Sequence, residues 1–287
     1  MKIYRIKYSK IKNTIDYTAI KNNFNKAGVI IIEDAIKKKD CQKLKFFLEK
    51  DFKKFSSFYF KSNKVKKHSG SSGAKVVTNL HNKNLRYLKL IDNEKILKIS
   101  EILLRQGSYQ EKDPIICQSL TARSPLPNSN EQQLHNDSRI VGSKYPIVVQ
   151  AMWALDEFTK NNGATNFLLG SQTFLSFPEN NKKYKKLIIA EAQPGSVIIF
   201  NGSVWHGGSK PKISFKSRWG IICRYSRWFL KPSYNFCENT PKNIFKKMTK
   251  KQKDLLGFRF QPPRDEFTSN SSIQKKYIKP KYYKLPN

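Results

Sequence analysis

The residues best equipped for chemistry lie around position 136. The run Gln133-Leu134-His135-Asn136-Asp137-Ser138-Arg139 separates a histidine from an aspartate by one residue. In an extended strand the side chains at i and i+2 point to one face, so an imidazole nitrogen and a carboxylate oxygen can converge on one point. A His-x-Asp pair alone is common and needs a third ligand before it reads as a metal site. His206 supplies it, at the end of Gln193-Pro194-Gly195-Ser196-Val197-Ile198-Ile199-Phe200-Asn201-Gly202-Ser203-Val204-Trp205-His206-Gly207-Gly208, where a turn and an apolar strand lead to a histidine set among glycines that leave room beside a metal. Two neutral imidazoles and one carboxylate on one face of an octahedron leave three positions open, the arrangement of non-haem Fe(II) oxygenases. Zinc hydrolases use a similar donor set, so ligand count alone does not select the metal.

Arg218 decides between them. It opens the apolar strand Trp219-Gly220-Ile221-Ile222-Cys223, and a guanidinium buried there is costly unless an anion accompanies it. The far carboxylate of 2-oxoglutarate would make a bidentate pair with it, while the 2-oxo acid end chelates Fe(II) at two open positions and O2 takes the last. Strand alternation also puts Arg139 on the face of His135 and Asp137, where it would meet an anionic substrate. His68, His81 and the Trp228-Phe229-Leu230 segment read as ordinary loop or core residues.

Taken together these residues resemble the phytanoyl-CoA dioxygenase family of Fe(II)/2-oxoglutarate oxygenases. The resemblance runs over nearly the whole chain: Gly28-Val29-Ile30-Ile31-Ile32-Glu33-Asp34-Ala35-Ile36 after a helix, the His-x-Asp pair, Leu155-Asp156-Glu157-Phe158-Thr159 with Asn162-Gly163-Ala164-Thr165, Leu169-Gly170-Ser171, Pro194-Gly195-Ser196, and His206 with Arg218 twelve residues beyond. It implies a double-stranded β-helix (jelly roll, cupin-like), His135, Asp137 and His206 as iron ligands, and Arg218 clamping the cosubstrate. It further implies cosubstrate contacts at Gln118, seventeen residues before His135, and at Trp153, sixteen after Asp137. Related halogenases carry a small residue where Asp137 stands, so hydroxylation or a related oxidation is expected. Gln172 is a departure, since the family commonly has His there.

The expected activity is therefore that of an Fe(II)/2-oxoglutarate-dependent dioxygenase. It would hydroxylate a C–H bond of a small, anionic metabolite and release succinate and CO2. The alternative is a non-catalytic metal-binding jelly roll, a sensor or interaction module whose basic surface holds an acidic partner.

Positioning these groups requires a sheet. Tyr17, Ile20, Phe24 and Ala27 recur at helical spacing and stop at Gly28, after which Val29 to Ile32 reads as a strand. Leu44, Phe47, Leu48, Phe52 and Phe55 form a second helical stripe, and Leu85 to Leu104 reads as one further long helix. Residues Lys61 to Lys75 are too polar and glycine-rich for regular structure and read as a mobile loop, a candidate lid. Short strands follow at 115–122, 148–155, 164–169, 187–192, 197–200 and 218–225, a sandwich or barrel pattern. Thr240-Pro241 reads as a helix start, and Thr249 with Gln252 as a capping box. The fold class expected is mainly β with flanking helices. Residues 1–268 form a single oxygenase domain, with a helical and strand part at 1–114, a jelly-roll core at 115–230 and a helical part at 231–268. Residues 269–287 form a basic tail that drapes over the body or stays disordered.

The 287 residues suffice for a large core, and 38% hydrophobic with 13% aromatic content is globular composition. No apolar run approaches the roughly 20 residues of a spanning helix, and no leader is evident at the N-terminus. A cytoplasmic protein without a membrane partner is expected. Cys41, Cys117, Cys223 and Cys237 form no CxxC pair and read as four buried thiols. The 55 Lys and Arg against 21 Asp and Glu give a net charge of +34. Only +8 of it falls between Ile115 and Leu230, so the excess is peripheral. No RNA-binding aromatic motif or C2H2 spacing accompanies it, and nucleic acid is not expected as a partner.

Overall fold

A computed structural model describes residues 1–61, 73–109, 112–127, 129–212, 214, 217–260 and 277–280, with only the backbone described at 56–61. Asn13 caps helix α1 (Thr14–Ala27) through a capping box with Asp16, and Gly28, at φ +78°, ends it in the left-handed conformation that the sequence pattern anticipates. Strands β1 (Tyr4–Lys7) and β2 (Val29–Glu33), helix α2 (Lys38–Lys61) and strand β3 (Ala74–Val77) complete the N-terminal part. The long helix expected over 85–104 is two, α3 (Leu85–Ile91) and α4 (Glu94–Leu104). Asn93 breaks it by turning its side chain back to accept from the Ile96 N–H, starting a new helix. Strands β4 (Ile115–Pro125), β5 (Val148–Ala154), β6 (Thr165–Leu168), β7 (Ile188–Ile189), β8 (Val197–Asn201), β9 (Trp205–Gly208) and β10 (Gly220–Arg227) follow, then α5 (Phe236–Asn239), α6 (Lys242–Lys247) and α7 (Lys250–Leu255). The helix start expected at Thr240-Pro241 comes one residue later: Thr240 closes α5, its hydroxyl donating to the Phe236 carbonyl, and Pro241 stands directly before the first residue of α6. The loop expected at 61–75 and the tail at 269–287 lie mostly outside the described residues.

Seven strands form one sheet in the order β1-β2-β8-β5-β10-β4-β3, and β7-β6-β9 form a second. The larger sheet is buried on both faces, which is why Val29 to Ile32 and Val197 to Phe200 are continuously apolar rather than alternating. Ile30, Ile32, Ala151, Trp153, Val197 and Ile199 join the helical side, with Phe24, Leu48 and Leu97. Val29, Ile31, Met152, Ala154, Ile198 and Phe200 join the other side, with Phe167 of the second sheet. The result is a β-sandwich core with helices on one flank, and the sheets face each other without closing. Three strands have no counterpart in the expected set, β1, β3 and β9, the last because Trp205-His206-Gly207-Gly208 carries no apolar alternation. Among the described residues no helix is long and apolar enough to cross a membrane.

Candidate metal centre

The site lies between the two sheets, where a chain segment is laid along β9. The N–H of His135 donates to the His206 carbonyl at 2.9 Å and the N–H of His206 returns a bond to His135 at 3.1 Å. Further along, the N–H groups of Asp137 and Ser138 both donate to the Gly202 carbonyl, at 2.8 and 2.9 Å. His135 is thus bridged rather than embedded in a strand, and Asp137 sits in the bend that follows. Two glycines permit this approach. A Cβ on Gly207 would stand 2.6 Å from the Gln132 carbonyl oxygen, and one on Gly202 would stand 2.5 Å from Ser138 Oγ. Gly202 and Gly207, on either side of His206, make room for the segment that carries the other two candidate ligands.

His135, Asp137 and His206 present ligand atoms that all lie within 4.8 Å of one another. His206 Nε2 is 3.4 Å from Asp137 Oδ2, and His135 Nε2 is 3.8 Å from Oδ1. Each imidazole places Nδ1 near a main-chain carbonyl, Gln133 at 3.0 Å and Val204 at 2.9 Å. A carbonyl only accepts, so Nδ1 carries the proton and Nε2 keeps its lone pair toward the carboxylate. Phe167 and Phe200 pack on the His206 ring, with centroids 5.8 and 4.9 Å away. The Gln150 amide donates to Asp137 Oδ2 at 2.5 Å, and the Arg224 guanidinium donates to the Asp137 carbonyl. Burial pushes the Asp137 carboxyl up, but a protonated His206 beside it, with His135 and Arg224 behind, outweighs burial and holds the group well below the usual carboxylate range, and a bound metal would take the place of that proton.

A cavity of about 620 Å³ opens from the triad, and Arg218 forms part of its wall with Met152, Phe200 and Ile222. Arg218 is 8% exposed, and its guanidinium lies 4.5 Å from the Phe158 ring centre and donates to the Gly163 carbonyl at 2.7 Å. Its Nε is buried without a partner. Burial and then the nearby Arg123 charge push Arg218 down to about 10.

Other expected contacts fall elsewhere. Trp153 is fully buried on the helical side of the sheet, because alternation along β5 sends Gln150 and Met152 into the cavity and Trp153 away. Gln118 occupies a bulge, where Arg224 pairs with Ser119 and Tyr225 with Cys117, and its amide donates to the Lys231 carbonyl at 3.0 Å. Neither lines the cavity. Arg139 is also displaced: its N–H donates to the Asn136 side chain, its φ is +58°, and this turn ends the alternation that would have aimed it at the site. It is exposed and outside the wall. His81 is buried against Phe236 and shares a 2.7 Å hydrogen bond with Asn239. Gln172 donates to the Asn25 carbonyl at 2.9 Å, beneath the turn at Gly28. All four cysteines are free and buried, as their spacing suggests.

Sequence reasoning missed Gln150, Arg224 and Arg123. One signal was present for Gln150, a polar residue inside Val148-Val149-Gln150-Ala151-Met152-Trp153, where burial demands a partner.

Comparison with known proteins places these observations in a family. The phytanoyl-CoA dioxygenase (PhyH) family model matches residues 24–219. The chain is 24% identical over 148 residues to dioxygenase af480 of Aspergillus fumigatus, covering 50% of this chain and 48% of that protein. It is 30% identical over 145 residues to dioxygenase trt7 of Aspergillus terreus, covering 47% and 48%. It is 25% identical over 170 residues to the iron/alpha-ketoglutarate-dependent dioxygenase okaE of Penicillium ochrochloron, covering 55% and 54%. The chain thus spans about half the length of the curated relatives it matches. HygX of Streptomyces hygroscopicus, solved with nickel, 2-oxoglutarate and hygromycin B bound, is 14% identical with a TM-score of 0.59, covering 76% of this chain and 89% of that one. That likeness is one of fold.

Proposed function

The chain belongs to the phytanoyl-CoA dioxygenase family, and from that premise we propose that it is an Fe(II)- and 2-oxoglutarate-dependent dioxygenase that hydroxylates a C–H bond of a small, anionic metabolite, with release of succinate and CO2. The observation that carries the reading is the convergence of His135, Asp137 and His206 on a cavity whose wall also holds Arg218, buried and with Nε unpartnered.

The donor set fits Fe(II): two imidazoles with Nε2 free and one carboxylate, facing a cavity with room for further ligands. His135 and His206 would hold the metal through Nε2, with the Gln133 and Val204 carbonyls locking both tautomers. Asp137 would supply the third ligand, oriented by Gln150 and Arg224. Arg218 would take the far carboxylate of 2-oxoglutarate, satisfying the guanidinium that burial otherwise penalises. Met152, Phe200 and Ile222 give that part of the wall an apolar surface that keeps water from the reacting groups. Bound iron supplies the redox chemistry that couples decarboxylation of the cosubstrate, with O2, to oxidation of the substrate. The anionic character of the substrate draws its support from the field of a +34 chain.

Anaerobic protein with Fe(II) and 2-oxoglutarate should show the weak visible charge-transfer band of a chelated 2-oxo acid. His135→Ala and His206→Ala should each abolish it, and an unchanged band in both removes the assigned ligands. Arg218→Ala should keep iron while raising the 2-oxoglutarate requirement, by about 2–5 kcal/mol for a lost buried charge pair. Succinate release dependent on 2-oxoglutarate separates the oxygenase from a non-catalytic metal-binding module.

A further inference from the structure

Apolar side chains scattered singly over a surface need no explanation, but a gathered group of them does. Ile140, Phe174, Leu175 and Phe177 are 41%, 42%, 81% and 49% exposed, and two chain segments bring them together. The Gly142 N–H donates to the Phe174 carbonyl at 3.3 Å, and a Cβ on Gly142 would stand 2.9 Å from Leu175 Cδ2. Ile140 belongs to the same turn, its carbonyl accepting from the Asn136 side chain at 3.0 Å. The loop is held from below, where the Phe174 and Tyr184 rings pack on Trp205 with centroids 5.1 and 5.3 Å away. None of the four apolar residues lines a described cavity.

The surroundings of this patch are basic. Residues 138–145 and 173–187 contain Arg139, Lys144, Lys182, Lys183, Lys185 and Lys186, all exposed, against one acid, Glu179, which Lys182 already pairs. The turn that takes Arg139 out of the cavity puts it on this rim. A stable protein interface takes roughly 20–30 residues from each side with complementary shape. A fluid bilayer imposes no shape. It offers an anionic headgroup layer to the cations and an acyl boundary to a few apolar side chains, which matches this surface in both respects. Docking of that kind needs no spanning helix, so the expectation of no membrane partner, which rests on the absence of one, does not bear on it. The patch also adjoins the cavity: Gln133, an exposed part of the cavity wall, donates to the Asn181 side chain on the same loop.

We propose that Ile140, Phe174, Leu175 and Phe177, with the cations around them, form a docking surface for an anionic lipid bilayer and set the cavity mouth at the membrane. The surface carries no candidate metal ligand, so the proposal goes beyond the oxygenase reading and does not depend on it.

The test is co-sedimentation of the full chain with sucrose-loaded vesicles of phosphatidylcholine, alone or equimolar with phosphatidylserine. Wild type should sediment with the mixed vesicles and stay in solution with phosphatidylcholine alone. Leu175→Ser with Phe177→Ser keeps the charge and should weaken binding to the mixed vesicles by about tenfold or more, as loss of buried apolar side chains does. Leu175→Ser alone, at the most exposed of the four positions, should show a smaller loss of the same sign and guards against a folding defect in the double variant. Lys183→Gln, Lys185→Gln and Lys186→Gln together should weaken binding by about a hundredfold. The same change at Lys39, Lys43 and Lys50, exposed on α2, should leave it nearly unchanged, because an ionic strength of about 0.15 M confines each charge to about 8 Å. Equal losses from the two lysine triplets, with the serine variants unimpaired, would mean adsorption by net charge and overturn the proposal. Wild type that ignores the mixed vesicles, or binds both kinds equally, would overturn it as well. So would self-association in sedimentation velocity that the serine variants abolish, which would make the patch a contact between copies. Succinate release dependent on 2-oxoglutarate, measured without vesicles, tests the oxygenase reading separately.

Discussion

Three side chains can serve as a metal site only when their own neighbours aim them. The two imidazoles are aimed by main-chain carbonyls two residues before each, so their orientation is local and survives most substitutions nearby. Asp137 depends on distant residues instead, Gln150 on β5 and Arg224 on β10. Gln150→Leu, close in volume but unable to donate, should lower metal affinity by about 10–100-fold, as loss of an outer partner commonly does. The melting temperature should change little, and competition against a chelator would measure the affinity. Undiminished affinity would mean that the Gln150 hydrogen bond is not needed to aim the carboxylate, the Arg224 bond to the Asp137 main-chain carbonyl being enough to fix that segment.

At the scale of elements, the decisive contact is the laying of residues 132–138 along β9 and the turn before it. Gly207 faces main-chain atoms there, with the Gln132 and Gln133 carbonyl oxygens 2.6 and 3.1 Å from where a Cβ would stand. Main chain cannot swing aside as a long side chain can. Gly207→Ala should therefore displace the segment that presents His135, costing about 1–3 kcal/mol of stability as overpacking does and weakening metal binding. Gly208→Ala is the control, since the nearest atoms to its Cβ would belong to the Gln132 side chain, at 3.3 to 3.6 Å. Thermal melts and metal titrations of the pair should separate them, and identical behaviour would show that the approach of the two segments is not limited by Gly207. The same dependence on neighbours explains the split between α3 and α4: the apolar stripe continues through Asp92 and Asn93, but the Asn93 side chain competes for the backbone.

For the whole molecule the open quantity is charge. The +34 excess lies mainly outside residues 115–230, and the cavity wall itself contributes Arg123 and Arg218. A peripheral field acts at long range, raising the local concentration of anions at the mouth rather than holding one in place. Raising ionic strength from about 0.01 to 0.15 M shortens the screening length from about 30 to 8 Å. With an anionic substrate, kcat/KM should fall over that range while kcat stays nearly constant, measured at saturating 2-oxoglutarate. Salt-independent kcat/KM would leave the basic surface without a role in substrate capture.

Much of this protein is written locally, in residues whose meaning does not depend on distant parts of the chain. The helix that stops at Gly28, the doubly buried strands at Val29 and Val197, the convergence of His135, Asp137 and His206, and the burial of Arg218 all follow from residue type and near neighbours. What lies across a strand or beyond a turn does not. Trp153 and Gln150 share one strand, and which of them faces the cavity is decided by the sheets and helices that cover each face. Gln118 falls in a bulge of β4, and one left-handed turn takes Arg139 out of the wall. Arg123 meets Arg218 only through the register of β4 against β10, nearly a hundred residues apart in the chain. Side-chain chemistry is carried by each residue, whereas facing and register are properties of paired strands, and pairing exists only once the chain has folded.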